Sequence, residues 1–330
     1  MNGKVLKILK NVGMTILLPV VFYVFFIIMT GGRFSNPRVL NGILRTTVYP
    51  AILCMALSMN MSMGMMDFSL GAVVCVAAIL GGNIALAVPA DLCLPVMVVS
   101  CIVIAVLVNG ISGLAYNLFK VPSLVLSIGL CMVYEGLPRI FVSAGLTSTR
   151  AMSVFSNQPL CFYVLAVAFV VYYFIHNYTV QGKNMAIIGA NQGVAFRSGI
   201  SLPKTKLKSF LLSGVFIGIA SVIYIGQRSS IATPSNLSSV TSIFDAIMGF
   251  FVASFLARYC GLPIGIVIGV LTMRILNTGL VSCGLSASVN QILTGFFLLI
   301  LLIISANQNL PAIIRKRRES AAKANAAYGK

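Results

Sequence analysis

The sequence has the composition of an integral membrane protein. Its 330 residues are 59% hydrophobic and only 8% charged, whereas ordinary soluble domains carry about 25% charged residues. The formal net charge is +18. This composition excludes a water-soluble protein, and the apolar sequence leaves no room for a sizeable soluble domain.

Apolar segments follow one another along the whole chain. A spanning helix needs about 20 apolar residues. We place the candidate segments at residues 12–30, 46–63, 68–88, 95–117, 123–141, 159–177, 209–226, 241–257, 262–281 and 287–306. The expected fold class is therefore an all-α membrane protein, a polytopic bundle of about ten transmembrane helices in a single transmembrane permease domain, residues 1–330.

Lys and Arg residues are concentrated in alternate connections between these segments. Examples are Lys4 near the N-terminus, the stretch 181–209 and the RKRR block that begins at Arg315. Cytoplasmic connections carry the excess of Lys and Arg, so both termini are predicted to be cytoplasmic. Residues 307–330 are predicted to form a basic cytoplasmic tail at the lipid surface. Because topology explains the cations, membrane lipids are expected contacts and nucleic acid is not.

Polar side chains inside the apolar segments, and Asp67 in the turn between segments 46–63 and 68–88, are candidates for a translocation path. The candidates are Asn60, Asp67, Asn109, Ser127, Asn277 and Gln291. Each could bind a hydroxylated solute, or could equally join two helices. Asp67 could also cap the helix that follows it, although an acid at membrane depth is a functional candidate by default. As a set, uncharged polar groups favour a neutral polar solute over an ion.

Several other pairs of residues predict contacts inside the bundle. Glu135 and Arg139 lie four residues apart on one helix and are expected to pair, and Asp245 is a possible partner of Arg274. Two small-xxx-small patterns, 214–218 and 265–269, permit close helix crossing. We interpret them mainly as packing within the chain.

The stretch 181–209 is the longest polar segment between the apolar ones. It contains five Lys or Arg residues and no acid, which is typical of a cytoplasmic loop. Within it, residues 185–200 can form one short amphipathic helix with small residues on one side. We therefore predict that a partner protein docks on this loop.

Residue patterns typical of enzymes are missing from the sequence. It contains neither a nucleotide-binding GxxxxGK[ST] pattern nor paired acids, and His176 is its single histidine. Its eight cysteines lie mostly in apolar segments without a CxxC pair, and such cysteines behave as small hydrophobic residues. We therefore expect no catalytic residue, no metal site and no cofactor.

Three sequence islands resemble the membrane permeases of ribose-type ABC sugar importers, within a wider group that includes branched-chain amino-acid and nucleoside permeases. The islands are residues 64–74, 109–137 and 189–221. The matching positions are Gly64, Asp67, Ser69, Gly71, Asn109, Gly110, Val121, Pro122, Ser127, Gly129, Gly189, Asn191, Ala195, Ser198, Gly199 and Ile200. Their order and spacing cover nearly the whole chain.

The resemblance implies a permease subunit of the bacterial plasma (inner) membrane that moves a sugar or similar neutral polar solute into the cytoplasm. Separate ATPase subunits hydrolyse ATP, an extracytoplasmic binding protein delivers the solute, and a second permease subunit, identical or different, completes the path. The 181–209 segment becomes the cytoplasmic coupling loop. The residues expected to couple the permease to the ATPase are Gly189, Asn191, Ala195, Arg197, Ser198 and Gly199.

Three departures from the family pattern favour a second, different permease as the partner. The connection between the eighth and ninth spans has only Gly249 and Gly261 nearby, where the family often has a Gly-rich loop. Gln192 and Gly193 follow Asn191 where the family usually has Pro-Glu, and Glu135 replaces a basic residue. The alternatives are an ABC permease for nucleosides or branched-chain amino acids, or an ion-coupled secondary carrier. A carrier usually needs intramembrane acids, and the whole chain has only five Asp and Glu residues.

Overall fold

Helices form nearly all the regular structure in the computed structural model, which describes residues 2–119, 121–142 and 144–307. The α-helices are α1 (Asn2–Met29), α2 (Pro37–Met61), α3 (Leu70–Leu86), α4 (Ala90–Leu118), α5 (Ser123–Phe141), α6 (Leu160–Tyr178), α7 (Val180–Ala190), α8 (Gln192–Arg197), α9 (Leu202–Gly226), α10 (Val240–Cys260), α11 (Leu262–Ser282) and α12 (Ala287–Asn307). Two short strands, β1 (Leu146–Thr147) and β2 (Ser230–Ile231), pair antiparallel with Leu146 opposite Ile231. The predicted all-α membrane bundle is confirmed.

Each predicted apolar segment lies mainly within a helix. Within the described residues, eight helices are long and apolar enough to cross a membrane, namely α1, α2, α4, α5, α6, α9, α10 and α11. Segment 68–88 forms α3, which has only 17 residues, and segment 287–306 forms α12. The predicted basic tail, apart from Asn307 at the end of α12, lies outside the described residues.

Helix boundaries follow local chemistry. Asn36 caps α2 by accepting a hydrogen bond from the Arg38 amide at 3.0 Å, and Pro37 occupies the first helical position, where its missing N–H costs nothing. Gly261 separates α10 from α11 with a φ of +77°, a conformation that only glycine adopts without strain. The sharp turn that results lets α11 fold back against α10.

Helices α2 and α9 form the centre of the bundle. In the most apolar stretch of each of these two helices, 78% of the residues are buried, compared with 17% in α1 and α6. The peripheral helices therefore expose apolar side chains, as lipid-facing helices do. Helix α4 packs along α9, α10 packs against α11, and α3 packs against α4.

The predicted small-xxx-small patterns are sites of close packing within the chain. A Cβ atom added to Gly214 would lie 2.8 Å from Val106 Cα, so α9 approaches α4 at this point. A Cβ atom added to Gly265 would lie 2.9 Å from the Ala253 carbonyl oxygen, where α11 meets α10. Both separations are too short for a side chain, so the intramolecular interpretation is confirmed.

The predicted Glu135–Arg139 pair is wrong. Glu135 accepts hydrogen bonds from the Leu237 amide at 2.9 Å, the Ser239 amide at 2.8 Å and the Ser239 hydroxyl at 2.6 Å. Arg139 instead donates to the Pro234 carbonyl oxygen at 3.0 Å. The carboxylate caps the N-terminus of α10, where amides lack partners within the helix and the helix dipole favours an anion.

The predicted Asp245–Arg274 pair is confirmed. Arg274 Nη1 lies 3.1 Å from Asp245 Oδ2, which joins α11 to α10. Asn277 donates to the other carboxylate oxygen at 3.2 Å, and Arg274 also donates to the Thr46 carbonyl oxygen of α2. Three helices are thus joined through one polar cluster.

The bundle has two chemically different ends. At one end, Asn117 of α4 donates to the Pro203 carbonyl oxygen of α9 at 3.0 Å, and α7 and α8 lie across the helix ends. We call it the α7–α8 end. At the other end, Gln227 donates to the Arg45 carbonyl oxygen at 3.1 Å, and β1 pairs with β2. We call it the β1–β2 end.

Candidate functional site

The predicted loop 181–209 is almost entirely helical, but it is not one short helix. Helix α7 begins at Val180, and the chain breaks at Asn191 before α8. The Asn191 side chain accepts hydrogen bonds from the Gly193 and Val194 amides at 2.9 and 3.1 Å. It thereby caps α8, which asparagine does well, and the break turns α8 away from α7.

Helix α8 ends in a Schellman motif at Gly199. The Ile200 amide donates to the Ala195 carbonyl oxygen at 3.1 Å, and the Gly199 amide donates to the Phe196 carbonyl oxygen at 3.1 Å. Gly199 has a φ of +78°, which this motif requires and glycine supplies. Ser198 is the C-cap and Ala195 is fully buried. Four of the predicted coupling residues therefore define the shape of α8.

The remaining predicted coupling residues are Gly189 of α7 and Arg197 of α8, and both are exposed. Gly189 packs against the Ser62 carbonyl oxygen at the end of α2, so closely that an added Cβ atom would overlap it. Beside Arg197, Val194 is 55% exposed and Phe196 is 71% exposed. Sequence reasoning missed these two, although they are apolar residues in an otherwise polar stretch.

A chain of polar contacts joins α7 to the start of α3. The Ser209 hydroxyl of α9 lies 3.3 Å from Met185 Sδ and 3.4 Å from Asn60 Oδ1. Asn60 donates to Asp67 at 3.2 Å, and Asp67 accepts from the Ser69 amide and hydroxyl at 3.0 and 2.6 Å. Asp67 thus fixes the turn before α3, and burial raises the pKa of its carboxyl to about 6.

Asn109 and Ser127, like Asn60 and Asp67, are fully buried and bonded within the bundle. Asn109 of α4 donates to the Phe210 carbonyl oxygen at 2.6 Å and to the Ser213 hydroxyl at 2.7 Å. Ser127 donates to the Leu124 carbonyl oxygen of its own helix at 2.8 Å. In this conformation their hydrogen bonds hold helices and turns, and neither residue lines the large cavities described below.

Replacing Asn109 by leucine is expected to destabilise the protein by about 1–2 kcal/mol, because two α9 groups lose a buried partner. The thermal unfolding temperature in detergent should fall, while the KM for transported solute should stay unchanged. Asn117→Leu is the matched control, since Asn117 is a half-buried α4 residue whose hydrogen bond to the Pro203 carbonyl oxygen is exposed. A changed KM with unchanged stability would instead place Asn109 in contact with solute.

A polar cavity of about 440 Å³ opens at the β1–β2 end. Its walls come from α2, α3, α9, α10 and α11 and from the segment between α9 and α10. Tyr49 and Tyr224 lie side by side in the wall, with ring centres 5.1 Å apart. The Arg228 guanidinium carbon lies 4.1 Å from the centre of the Tyr224 ring. We call this space the tyrosine cavity.

A second cavity of about 720 Å³ adjoins the tyrosine cavity. It is lined by α10, α11 and α12, and Asn277 and Gln291 are among its lining residues. Thr241, Asp245 and Arg274 belong to the walls of both cavities. We call it the asparagine cavity. The structure therefore brings two of the six predicted path residues together at the β1–β2 end.

Sequence reasoning missed the aromatic and basic residues of the tyrosine cavity. Tyr49 and Tyr224 lie within apolar segments, where an aromatic residue indicates core packing as readily as a cavity wall. Arg228 follows an apolar segment and is typical of a helix end. Because Tyr49 lies far in sequence from Tyr224 and Arg228, only the packing of α2 against α9 shows that the three converge.

The family profile described as branched-chain amino acid transport system, permease component, matches residues 39–306. The chain belongs to this family. The resemblance inferred from the three sequence islands is confirmed. Together with the eight apolar helices, the match identifies a multi-pass inner-membrane protein that acts as a transport subunit.

Three relatives cover most of the chain. The ribose import permease protein of Haemophilus influenzae is 28% identical over 260 residues, which are 75% of this chain and 78% of that protein. The galactofuranose transporter permease protein of Escherichia coli is 21% identical over 296 residues, 87% of this chain and 84% of that protein. The fructose import permease protein of Bifidobacterium longum is 24% identical over 308 residues, 86% and 88% respectively.

Proposed function

We propose that this chain is the permease subunit of an ATP-binding-cassette importer for a sugar. The observation that carries the proposal is the separation of two sites on one bundle. A helical platform lies at one end, and solute-sized cavities open at the other. Relatives named for ribose, galactofuranose and fructose support the choice of a sugar.

The α7–α8 end is the proposed docking surface for a separate ATPase subunit. Val194 and Phe196 supply exposed apolar contacts, and Arg197 adds a charge beside them. Exposed apolar side chains rimmed by polar ones are typical of protein–protein contacts. Gly189 brings α7 onto the end of α2, so a push on α8 would reach a central helix through α7.

The polar chain from Met185 to Asp67 gives the platform a second connection to the bundle. It runs from α7 through α9 and α2 to the start of α3. We assign Asn60 and Asp67 to this connection and not to solute contact. Movement of α7 would then shift the turn before α3, and α3 contributes Cys75 to the wall of the tyrosine cavity.

The remaining partners and the orientation follow from this layout. The β1–β2 end would face the extracytoplasmic side, where a solute-binding protein delivers its cargo, and both termini would be cytoplasmic. A second permease subunit, identical or different, would complete the importer. The cations of 181–209 lie at the α7–α8 end, as a cytoplasmic assignment of that end requires.

Uptake by the native importer complex in lipid vesicles tests this proposal. Labelled ribose, galactose and fructose are offered outside with the binding protein, and ATP is enclosed with the ATPase side. We expect uptake of at least one sugar that stops with vanadate and persists with ionophores. Uptake that persists with vanadate and stops with ionophores would identify an ion-coupled carrier instead.

A further inference from the structure

The Tyr49 hydroxyl is a buried polar group without a partner at the edge of the tyrosine cavity. Tyr49 is only 6% exposed, and its hydroxyl forms no hydrogen bond with any residue that the structure describes. Ser242, another wall residue beside Tyr49, donates its proton to the Ser239 carbonyl oxygen at 2.6 Å, so its hydroxyl can act toward Tyr49 only as an acceptor. Asn290 Oδ1 in the wall of the asparagine cavity is likewise buried without a partner in the described residues. Since buried polar groups are nearly always hydrogen-bonded, the position of both groups in the cavity walls points to a partner that enters the cavities.

Asp245 and Arg274 also have unused bonding capacity toward the cavities. An ionised carboxylate has about four acceptor positions, and among the described residues Asp245 accepts hydrogen bonds only from Arg274 and Asn277. A guanidinium has five N–H donors, of which Arg274 directs three to Asp245 and Thr46. Their side chains are 35% and 24% exposed respectively. Unused hydrogen-bond donors of Arg274 and unused acceptors of Asp245 therefore lie next to each other at the junction of the two cavities.

We propose that the tyrosine and asparagine cavities form one solute site for a neutral, polyhydroxylated ring. Tyr49, Asp245 and Arg274 bind the solute hydroxyl groups. This inference rests on the proposed sugar import and deepens it by naming the residues that recognise the solute. A hydroxyl group both donates and accepts, so vicinal hydroxyls match the alternating donors and acceptors of this junction.

The Asp245–Arg274 ion pair at the junction of the cavities favours a neutral solute. Asp245 and Arg274 neutralise each other, so a zwitterion could bind them only by separating the ion pair, and a carboxylate would meet Asp245 as well as Arg274. The Arg228 guanidinium lies over the Tyr224 ring, an arrangement that stabilises the cation within the wall. A neutral solute keeps all of these interactions intact.

The tyrosine cavity is by itself large enough to hold one small ring. The tyrosine cavity alone encloses about 440 Å³, which falls within the range of roughly 300–1,000 Å³ for small-molecule sites. Segment 230–239 closes one side of it, and two residues there, Asn236 and Leu237, have positive φ angles of 53° and 62°. Glu135 holds this segment through the Leu237 amide, so the wall is fixed by α5.

The first experiment compares Tyr49→Phe with wild type in the vesicle uptake assay. Removing one hydroxyl that bonds solute should raise the KM by about five- to tenfold with kcat nearly unchanged, as for an ordinary hydrogen bond. Tyr134→Phe is the matched control, because the buried Tyr134 hydroxyl bonds Ser112 and Val108, outside both cavities. An unchanged KM in Tyr49→Phe would overturn the assignment.

The second experiment measures whether the sugar occupies the proposed site, and it does not depend on transport. In a Cys283→Ser background, which removes the exposed native thiol, a membrane-impermeant maleimide is applied to Thr241→Cys and to Thr149→Cys. Both threonines are exposed, but only Thr241 lines the cavities. The transported sugar should slow labelling at 241 severalfold and leave labelling at 149 unchanged.

The two experiments separate failure of the site from failure of the proposed function. Sugar uptake with an unaltered Tyr49→Phe KM and no protection at 241 would overturn this site while the importer stands. No ATP-dependent uptake of any of the three sugars, together with no protection at 241, would overturn both. Protection at 241 with a raised KM in Tyr49→Phe would support both.

Discussion

Replacing Gly189 by leucine is expected to abolish ATP-driven uptake while the protein remains in the membrane. An added Cβ atom at this position overlaps the Ser62 carbonyl oxygen, and this atom belongs to the backbone at the end of α2, which cannot rotate away as a side chain could. Helix α7 must therefore move off the bundle. The docking platform would then lose its contact with a central helix.

The measurement is ATP hydrolysis and sugar uptake by the same reconstituted complex. Uptake should fall by at least tenfold, whereas the elution volume of the detergent-solubilised permease should not change. Gly136→Leu is the matched control, because Gly136 is an exposed glycine within α5, away from the docking surface, where an added Cβ atom meets no atom within 4 Å. Full uptake in Gly189→Leu would show that the α7–α2 contact does not transmit the movement of the ATPase.

Gly199 extends this test because its substitution acts through a different physical cause. A Cβ atom there meets open space, but the φ of +78° is unfavourable for any side chain. The left-handed conformation costs roughly 1–2 kcal/mol in an ordinary residue. Gly199→Val should therefore loosen the end of α8 and reduce coupling less severely than Gly189→Leu.

Replacing Glu135 by alanine is expected to cause the largest loss of stability. Its carboxylate accepts three hydrogen bonds from Leu237 and Ser239, and it is 4% exposed. Each buried donor left without an acceptor costs about 1–3 kcal/mol. The N-terminus of α10 and the wall of the tyrosine cavity would both lose their anchor.

Thermal unfolding of the detergent-solubilised protein measures this effect. Glu135→Gln should give an intermediate result, because its amide retains one carbonyl oxygen that can accept. Asp91→Ala is the control, since Asp91 is an exposed acid in the first turn of α4 and its loss costs only about 0.3–1 kcal/mol. Equal unfolding temperatures for Glu135→Ala and Asp91→Ala would contradict the anchoring role.

The helices of this protein could be predicted from sequence because hydropathy dominates the signal. Each predicted apolar segment lies mainly in a helix, and the single-helix prediction for 185–200 failed only where Asn191 interrupts it by capping α8. An asparagine can sit inside a helix or cap the next one. Which of the two roles Asn191 takes depends on whether α7 ends against α2. That contact cannot be predicted from the local sequence.

Side-chain partners were harder to predict because they come from distant parts of the chain. Glu135 has a suitable partner four residues away, yet it bonds a loop about one hundred residues further on. Asn109 and Asn277 look alike in sequence, but one joins α4 to α9 and the other lines a cavity. Asp245 and Arg274 could be paired in advance because few opposite charges were available.

Purification from the native membrane in mild detergent, followed by mass spectrometry, tests the central claim most directly. The protein is expected to elute with an ATPase subunit, and Gly189→Leu or Phe196→Asp should reduce the amount of ATPase that co-elutes. The number of permease sequences in the complex distinguishes a pair of identical subunits from a pair of different ones. A permease that elutes alone in several detergents, while its membranes still take up sugar without ATP, would contradict the proposed importer.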